Sequence, residues 1–170
     1  MTPADVEPRK TRRRSVIDPR RSGRYERIHA QLKGLIEGRS PSLTAAMATL
    51  CAVLHAKMPH HFWTGFYFVH SERELHVGPY QGPLACQILR DRGVCLRCAV
   101  SREPIVIPDV EQFPGHVACD TRSRSEIALP LISEDTVVAV LDIDSDKPAA
   151  FDEDDFAPLA RIVALLVPFA

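Results

Sequence analysis

An α+β domain with a largely antiparallel sheet is the fold class this sequence predicts, and two observations carry that prediction. Apolar residues recur at helical spacing up to Leu54. The pattern then switches abruptly to aromatic and β-branched residues from His61 to His70 (HFWTGFYFVH). A second two-stranded pattern, Glu126 to Ile132 and Thr136 to Ile143, folds around Ser133-Glu134-Asp135. The resulting order of helix, helix, hairpin, helix, hairpin, helix fits helices packed on an antiparallel sheet. With 170 residues and 18.9 kDa, one domain is expected.

Each element has its own signal. Residues 1–23 are basic, proline-bearing and poor in large apolar side chains, and are expected to form a disordered, solvated arm ahead of a domain over residues 24–170. Residues 1–27 hold 9 Lys or Arg against 4 Asp or Glu, and the remainder 12 against 18. Arg24 to Gly38 reads as a helix, with Ile28, Leu32, Leu35 and Ile36 on one side and Gly38 suited to end it. Ser40-Pro41 restarts a helix whose stripe is Leu43, Met47, Leu50 and Leu54, with Met47 and Cys51 as core residues. Leu75 to Gln81 pairs with His61 to His70 as a hairpin. Residues 93–102 form a helix ended by Pro104, and Ile105 to Ile107 a short strand. Glu111 to Ser125 is a loop carrying Gly115, His116 and Cys119. Phe156, Leu159, Ile162, Val163 and Leu166 mark a closing helix, which Pro158 must kink or delay beyond the acidic run Asp152–Asp155.

Composition excludes several functions. Lys plus Arg total 21 and Asp plus Glu 22, so neither a chain-wide basic surface for nucleic acid nor a chain-wide acidic tail is present. No apolar run approaches the ~20 residues of a membrane span. Met1 to Arg14 contains no apolar signal core, and no apolar stretch follows Arg13-Arg14, so a cytoplasmic location is expected. Five cysteines are too few and too odd in number for a disulfide scaffold. In a reducing compartment they should be thiols, metal ligands or redox catalysts.

Strand period decides which side chains meet. Trp63, Gly65, Tyr67 and Val69 share one face, an indole and a phenol beside a glycine gap. Val138, Val140, Asp142 and Asp144 share another, which stands two carboxylates ~7 Å apart among valines. Leu141 and Ile143 cover the opposite face, so these acids need a partner or a cavity. Glu126, from the neighbouring strand, would join them. Clustered carboxylates repel until one holds a proton near neutral pH, and such a group can bind an ammonium or donate a proton to a reacting oxygen. Among the cysteines, Cys51 belongs to a core stripe. Cys95 and Cys98, with His116 and Cys119 after seventeen intervening residues, form C-x2-C and H-x2-C, a zinc-like spacing. The alternative is that Cys86 and Cys119, each in a polar, proline- and glycine-bearing loop, are redox-active thiols.

Six segments carry a family resemblance: WTGFY (Trp63 to Tyr67), GPYQGPLAC (Gly78 to Cys86), RGVC (Arg92 to Cys95), IPDVEQFPGHVACD (Ile107 to Asp120), SRSEI (Ser123 to Ile127) and VLDIDS (Val140 to Ser145). Together they resemble the free methionine-(R)-sulfoxide reductases, enzymes built on a single GAF domain, over about Arg24 to Leu166. The resemblance implies a GAF-like, roughly six-stranded antiparallel sheet flanked by helices. It also implies reduction of free methionine-(R)-sulfoxide with no cofactor. Cys119 would be the nucleophile, passing through a sulfenic acid. Cys86 or Cys95 would close a disulfide on it, and thioredoxin would reduce that disulfide. Glu126, Asp142 and Asp144 would hold the substrate and protonate its oxygen. Trp63 and Tyr67 would wall its methyl-sulfur end, and backbone N–H groups near Val117 and Ala118 would bind its carboxylate or oxygen. The family is often dimeric, so a homodimer is a further expectation. Where the family usually continues Gly-Val-Cys with Gly-Thr-Ala, this chain has Leu96-Arg97-Cys98-Ala99. The larger side chains are expected to narrow the pocket rim, and Cys98 to offer an extra disulfide partner. Two other functions compete: a ligand-binding or sensory GAF module without turnover, and a zinc-binding structural module on Cys95, Cys98, His116 and Cys119.

Overall fold

A computed structural model describes residues 19–117 and 119–170. Its centre is one six-stranded sheet, antiparallel at every pairing, in the spatial order β3-β2-β1-β6-β5-β4. The strands are β1 (Trp63–Ser71), β2 (Glu74–Gln81), β3 (Ile88–Arg90), β4 (Ile105–Ile107), β5 (Ser125–Ser133) and β6 (Thr136–Ser145). The long strands β1, β5 and β6 occupy the middle, as their near-continuous burial requires. Helices α1 (Pro19–Ile36), α2 (Leu43–Lys57) and α4 (Phe156–Val163) cover one face, and the short α3 (Val94–Ser101) lies on the other.

Strand alternation sorts the core into two layers. Phe66, Ile127, Leu129, Leu141 and Ile143 pack under α1, α2 and α4. Trp63, Tyr67, Ala128 and Val140 point to the α3 side. That second layer is smaller and leaves room for a cavity. Among the described residues, no helix is long and apolar enough to cross a membrane.

Several sequence expectations change. The first helix starts at Pro19, so residues 19–23, expected in the arm, are helical, while residues 1–18 lie outside the described part. This basic turn is held by tertiary contacts: Arg21 reaches Asp155 at 2.7 Å and Asp152 at 3.3 Å, and the buried Tyr25 hydroxyl donates to Asp155 at 3.0 Å. Helix α2 is capped by Ser42, whose hydroxyl accepts from the Ala45 N–H at 3.3 Å, and Pro41 precedes the cap. Strand β3 is a sixth strand absent from the periodicity reading. In β6, Val138 does not share the face of Asp142. A bulge opposite Leu131/Ile132 sends Val137 to the α3 side and Val138 to the other. Helix α4 does begin beyond the acidic run Asp152–Asp155, at Phe156, and Pro158 is its third residue, where a backbone N–H has no intrahelical partner; a short 3-10 turn at Glu153–Asp155 leads into it.

Candidate active site

Antiparallel register brings the acids together. On the α3 side of the sheet Glu126 lies directly across from Asp144, and Ala128 across from Asp142. Asp142 is therefore the diagonal neighbour of Glu126, within reach of a long side chain. On the other flank β1 sets Gly65 across from Asp142 and Trp63 across from Asp144. A Cβ at Gly65 would overlap both the Trp63 ring and Tyr80, so only glycine lets the indole fold down over the strand. Trp63 then stacks on Tyr67 and Tyr80, with ring centroids 5.8 and 5.4 Å apart.

These groups line a cavity of about 40 Å³, with Trp63 and Tyr67 as its aromatic wall and Glu126, Asp142 and Asp144 as its acidic floor. Cys119 and Val117 contribute the rim from the loop after β4. Cys86 and Cys119 are joined in a disulfide with Cα atoms 5.4 Å apart, closing the β2–β3 loop onto that rim. The Tyr67 hydroxyl donates to the Cys86 carbonyl at 3.3 Å, tying the aromatic wall to the disulfide. Ala118 is outside the described residues.

The floor carries less charge than three carboxylates would in water. Burial and the neighbouring carboxylates push Glu126 and Asp142 well above the usual range. Asp144 is also raised by burial, to about 6, against the opposing pull of a short hydrogen bond donated by Ser123. The Cys95 thiol, itself pushed up by burial, lies 3.8 Å from Glu126 Oε1. His116 Nδ1 is 3.8 Å from Glu126 Oε2, and burial lowers its imidazole. One oxygen of Asp142, Oδ1, is buried without a hydrogen-bond partner, which is what a site awaiting a polar ligand looks like. The arrangement can donate a proton deep in a cavity and present a redox-active cysteine at its mouth.

The structure brings together the expected Cys86, Cys95, Cys119, Glu126, Asp142, Asp144, Trp63, Tyr67 and Val117. The zinc-like set does not form: Cys119 is bonded to Cys86, so it is not a thiolate beside Cys95, Cys98 and His116. Nor do Leu96 and Arg97 narrow the rim. Leu96 packs into the smaller core and Arg97 turns out over Phe113, 5.7 Å from its ring centre. Cys98 is a buried thiol in that same layer. Sequence reasoning gave no part to Ser123. Its position beside Asp144 comes from the chain's approach to β5, where the Arg124 N–H bonds the Ser145 carbonyl at 2.8 Å, and no local pattern encodes that.

Comparison with known proteins agrees with this geometry. A GAF-domain family model matches residues 40–167. GAF domain-containing protein A of Dictyostelium discoideum is 43% identical over 143 residues, covering 84% of this chain and 89% of the relative. Free methionine-R-sulfoxide reductase of Escherichia coli is 36% identical over 143 residues, covering 84% and 86%. The crystal structure of free methionine-R-sulfoxide reductase from Neisseria meningitidis, in complex with its substrate, superposes with a TM-score of 0.83 at 35% identity, covering 87% of this chain and 89% of that one. The chain belongs to the GAF-domain family of free methionine-(R)-sulfoxide reductases.

Proposed function

We propose that this chain reduces free methionine-(R)-sulfoxide to methionine, with Cys119 as nucleophile and Cys86 as the resolving thiol. The observation that carries the reading is the Cys86–Cys119 disulfide at the mouth of a cavity floored by Glu126, Asp142 and Asp144. In the reduced protein the Cys119 thiolate attacks the sulfoxide sulfur while a floor carboxylic acid protonates the departing oxygen. The hydroxyl then passes from the substrate sulfur to the Cys119 sulfur as the bond between the two sulfurs breaks, leaving a sulfenic acid on Cys119 and methionine as the thioether. The Cys86 thiolate then attacks the Cys119 sulfur, the hydroxyl leaves as water, and the disulfide forms. Two thiols are oxidised for one sulfoxide reduced. A dithiol reductant of the thioredoxin class returns the two electrons by exchange. Asp144, held near neutrality in its titration, is the proton donor, and Glu126 and Asp142 hold the substrate's ammonium. Trp63 and Tyr67 enclose the methyl-sulfur end, and backbone N–H groups near Val117 and Ala118 receive the carboxylate. Cys95 is a third redox-competent thiol, set behind the floor.

A single-turnover assay on fully reduced protein tests this, with the R and S epimers supplied separately. The expected result is about one methionine released and two thiols lost, for the R epimer alone. Cys119→Ser should release none, whereas Cys86→Ser should complete one turnover and fail to recycle. No methionine from either epimer would instead identify a GAF module that binds without turnover.

A further inference from the structure

We propose that the cavity floor, in the disulfide-closed state, is also a binding site for a zinc-class divalent cation, held by Cys95, Glu126 and Asp142. One ligand atom from each of Cys95, Glu126 and Asp142 lies within 4.8 Å of the other two, and all three residues are buried. The Cys95 Sγ to Glu126 Oε1 separation of 3.8 Å is close to the ~3.6 Å edge that Zn–S and Zn–O bonds of about 2.3 and 2.1 Å span at a tetrahedral ion. His116 Nδ1, 3.8 Å from the second Glu126 oxygen, lies outside that set. Asp142, only 6% exposed, keeps Oδ1 buried and without a hydrogen-bond partner.

Donor chemistry sets the class of ion. A thiolate with two carboxylates suits zinc or cobalt, whereas magnesium and calcium take oxygen ligands and waters. A dication also supplies the charge this buried cluster lacks, since the described residues place no Lys or Arg in the cavity lining. On binding, the Cys95 thiol gives its proton to solvent as the metal–sulfur bond forms. The ion would occupy the positions Glu126 and Asp142 offer to substrate. Its effect as a reversible inhibitor rests on the reductase reading, although its binding does not.

The probe is Co²⁺, titrated into the disulfide form of the full chain and followed by absorption. With Cys86 and Cys119 bonded, the free thiols among the described residues are Cys51, Cys95 and Cys98. We expect one equivalent of cobalt to produce a thiolate-to-metal charge-transfer band that Zn²⁺ abolishes by displacement. Cys95→Ala should lose the band and Cys98→Ala should keep it. Glu126→Gln, which leaves the thiol in place, should weaken binding at least tenfold and guards against a misfolded Cys95 variant. A surface trio, His70, Glu74 and His76, also has metal-binding geometry. It carries no thiol, and Arg90 already holds Glu74 at 2.6 Å, so His76→Ala should leave the band intact. Absence of the band in the unaltered chain, or its survival in Cys95→Ala, overturns the proposal. Parallel single-turnover assays keep the two readings apart. A band without methionine release refutes the reductase alone, and release without a band refutes the metal site alone.

Discussion

At the scale of single residues, the floor of the cavity turns on the pair Ser123 and Asp144. The hydroxyl donates to the carboxylate, and a hydrogen bond to the charged form of an acid favours that form. Ser123 therefore restrains a carboxyl that burial would push higher than its value of about 6. If Asp144 delivers the proton, single-turnover methionine release needs its acid form and must decline as pH rises through about 6. In Ser123→Ala the restraint is gone, the folded pKa of Asp144 rises, and the decline moves to higher pH. A structural role for Ser123 would lower the rate at every pH and leave the position of the decline unchanged. The pH profile of the variant, read against that of the unaltered chain, decides between them. Asp144→Asn, which keeps the shape and removes the proton, should lose most turnover across the whole range, and near-normal release would remove Asp144 from the mechanism.

At the scale of elements, what the sequence makes legible follows from how local each device is. The β1 and β6 periodicities put Trp63 with Tyr67 and Asp142 with Asp144, and the structure keeps both pairs on the cavity side. The bulge at Val138 could not be read, because Val137-Val138-Ala139-Val140 is apolar on either face and only the pairing with β5 selects the register. Strand β3 is three residues long and shows no period. The first turn of α1 is basic, and its stability comes from Asp152 and Asp155, more than 125 residues away. The same non-locality hides which cysteine meets Cys119, since spacing alone cannot fix a pairing. Gly65 is the element-level feature most open to test. Gly65→Ala forces a methyl into the Trp63 ring and Tyr80, an overpacking cost of about 1–3 kcal/mol. Trp63 is the sole tryptophan, so emission reports it directly. The variant should melt several degrees lower with red-shifted fluorescence as the indole is displaced. An unshifted spectrum would mean that β1 yields instead of the ring.

At the scale of the whole molecule, two buried groups of ionisable residues on opposite faces of the sheet pull stability in opposite directions with pH. On the helical side, His61 is buried and His60 half-buried, each with its Nε2 unpartnered, near Arg21, Arg24 and Lys147. Burial, aided by those cations, lowers His60 to about 4, and burial with His60, His55 and Arg21 nearby lowers His61 well below its usual value. Between about 4 and 6.5 the unfolded chain binds more protons at His60 than the folded one, so this face stabilises the fold at neutral pH and loses that contribution as pH falls. On the cavity side the sign reverses. Asp144 titrates near 6 when folded against 3.8 in its ordinary state, so the folded form holds the extra proton and stability declines as pH rises from about 4 to 6. Glu126 and Asp142, raised in the same direction, extend that decline upward. The measured profile is the difference of the two, and variants separate them. His60→Asn should flatten the loss of stability between pH 7 and pH 5, by on the order of 1–2 kcal/mol once solvent screening of a half-buried ring is discounted. Asp144→Asn removes an opposing slope and relieves Asp142 of a neighbouring charge, so the same acid loss should become steeper. Thermal melts of both variants at pH 5, 6 and 7 check the pair. Shifts of the same sign would show that the two faces do not titrate as opposed halves of one fold.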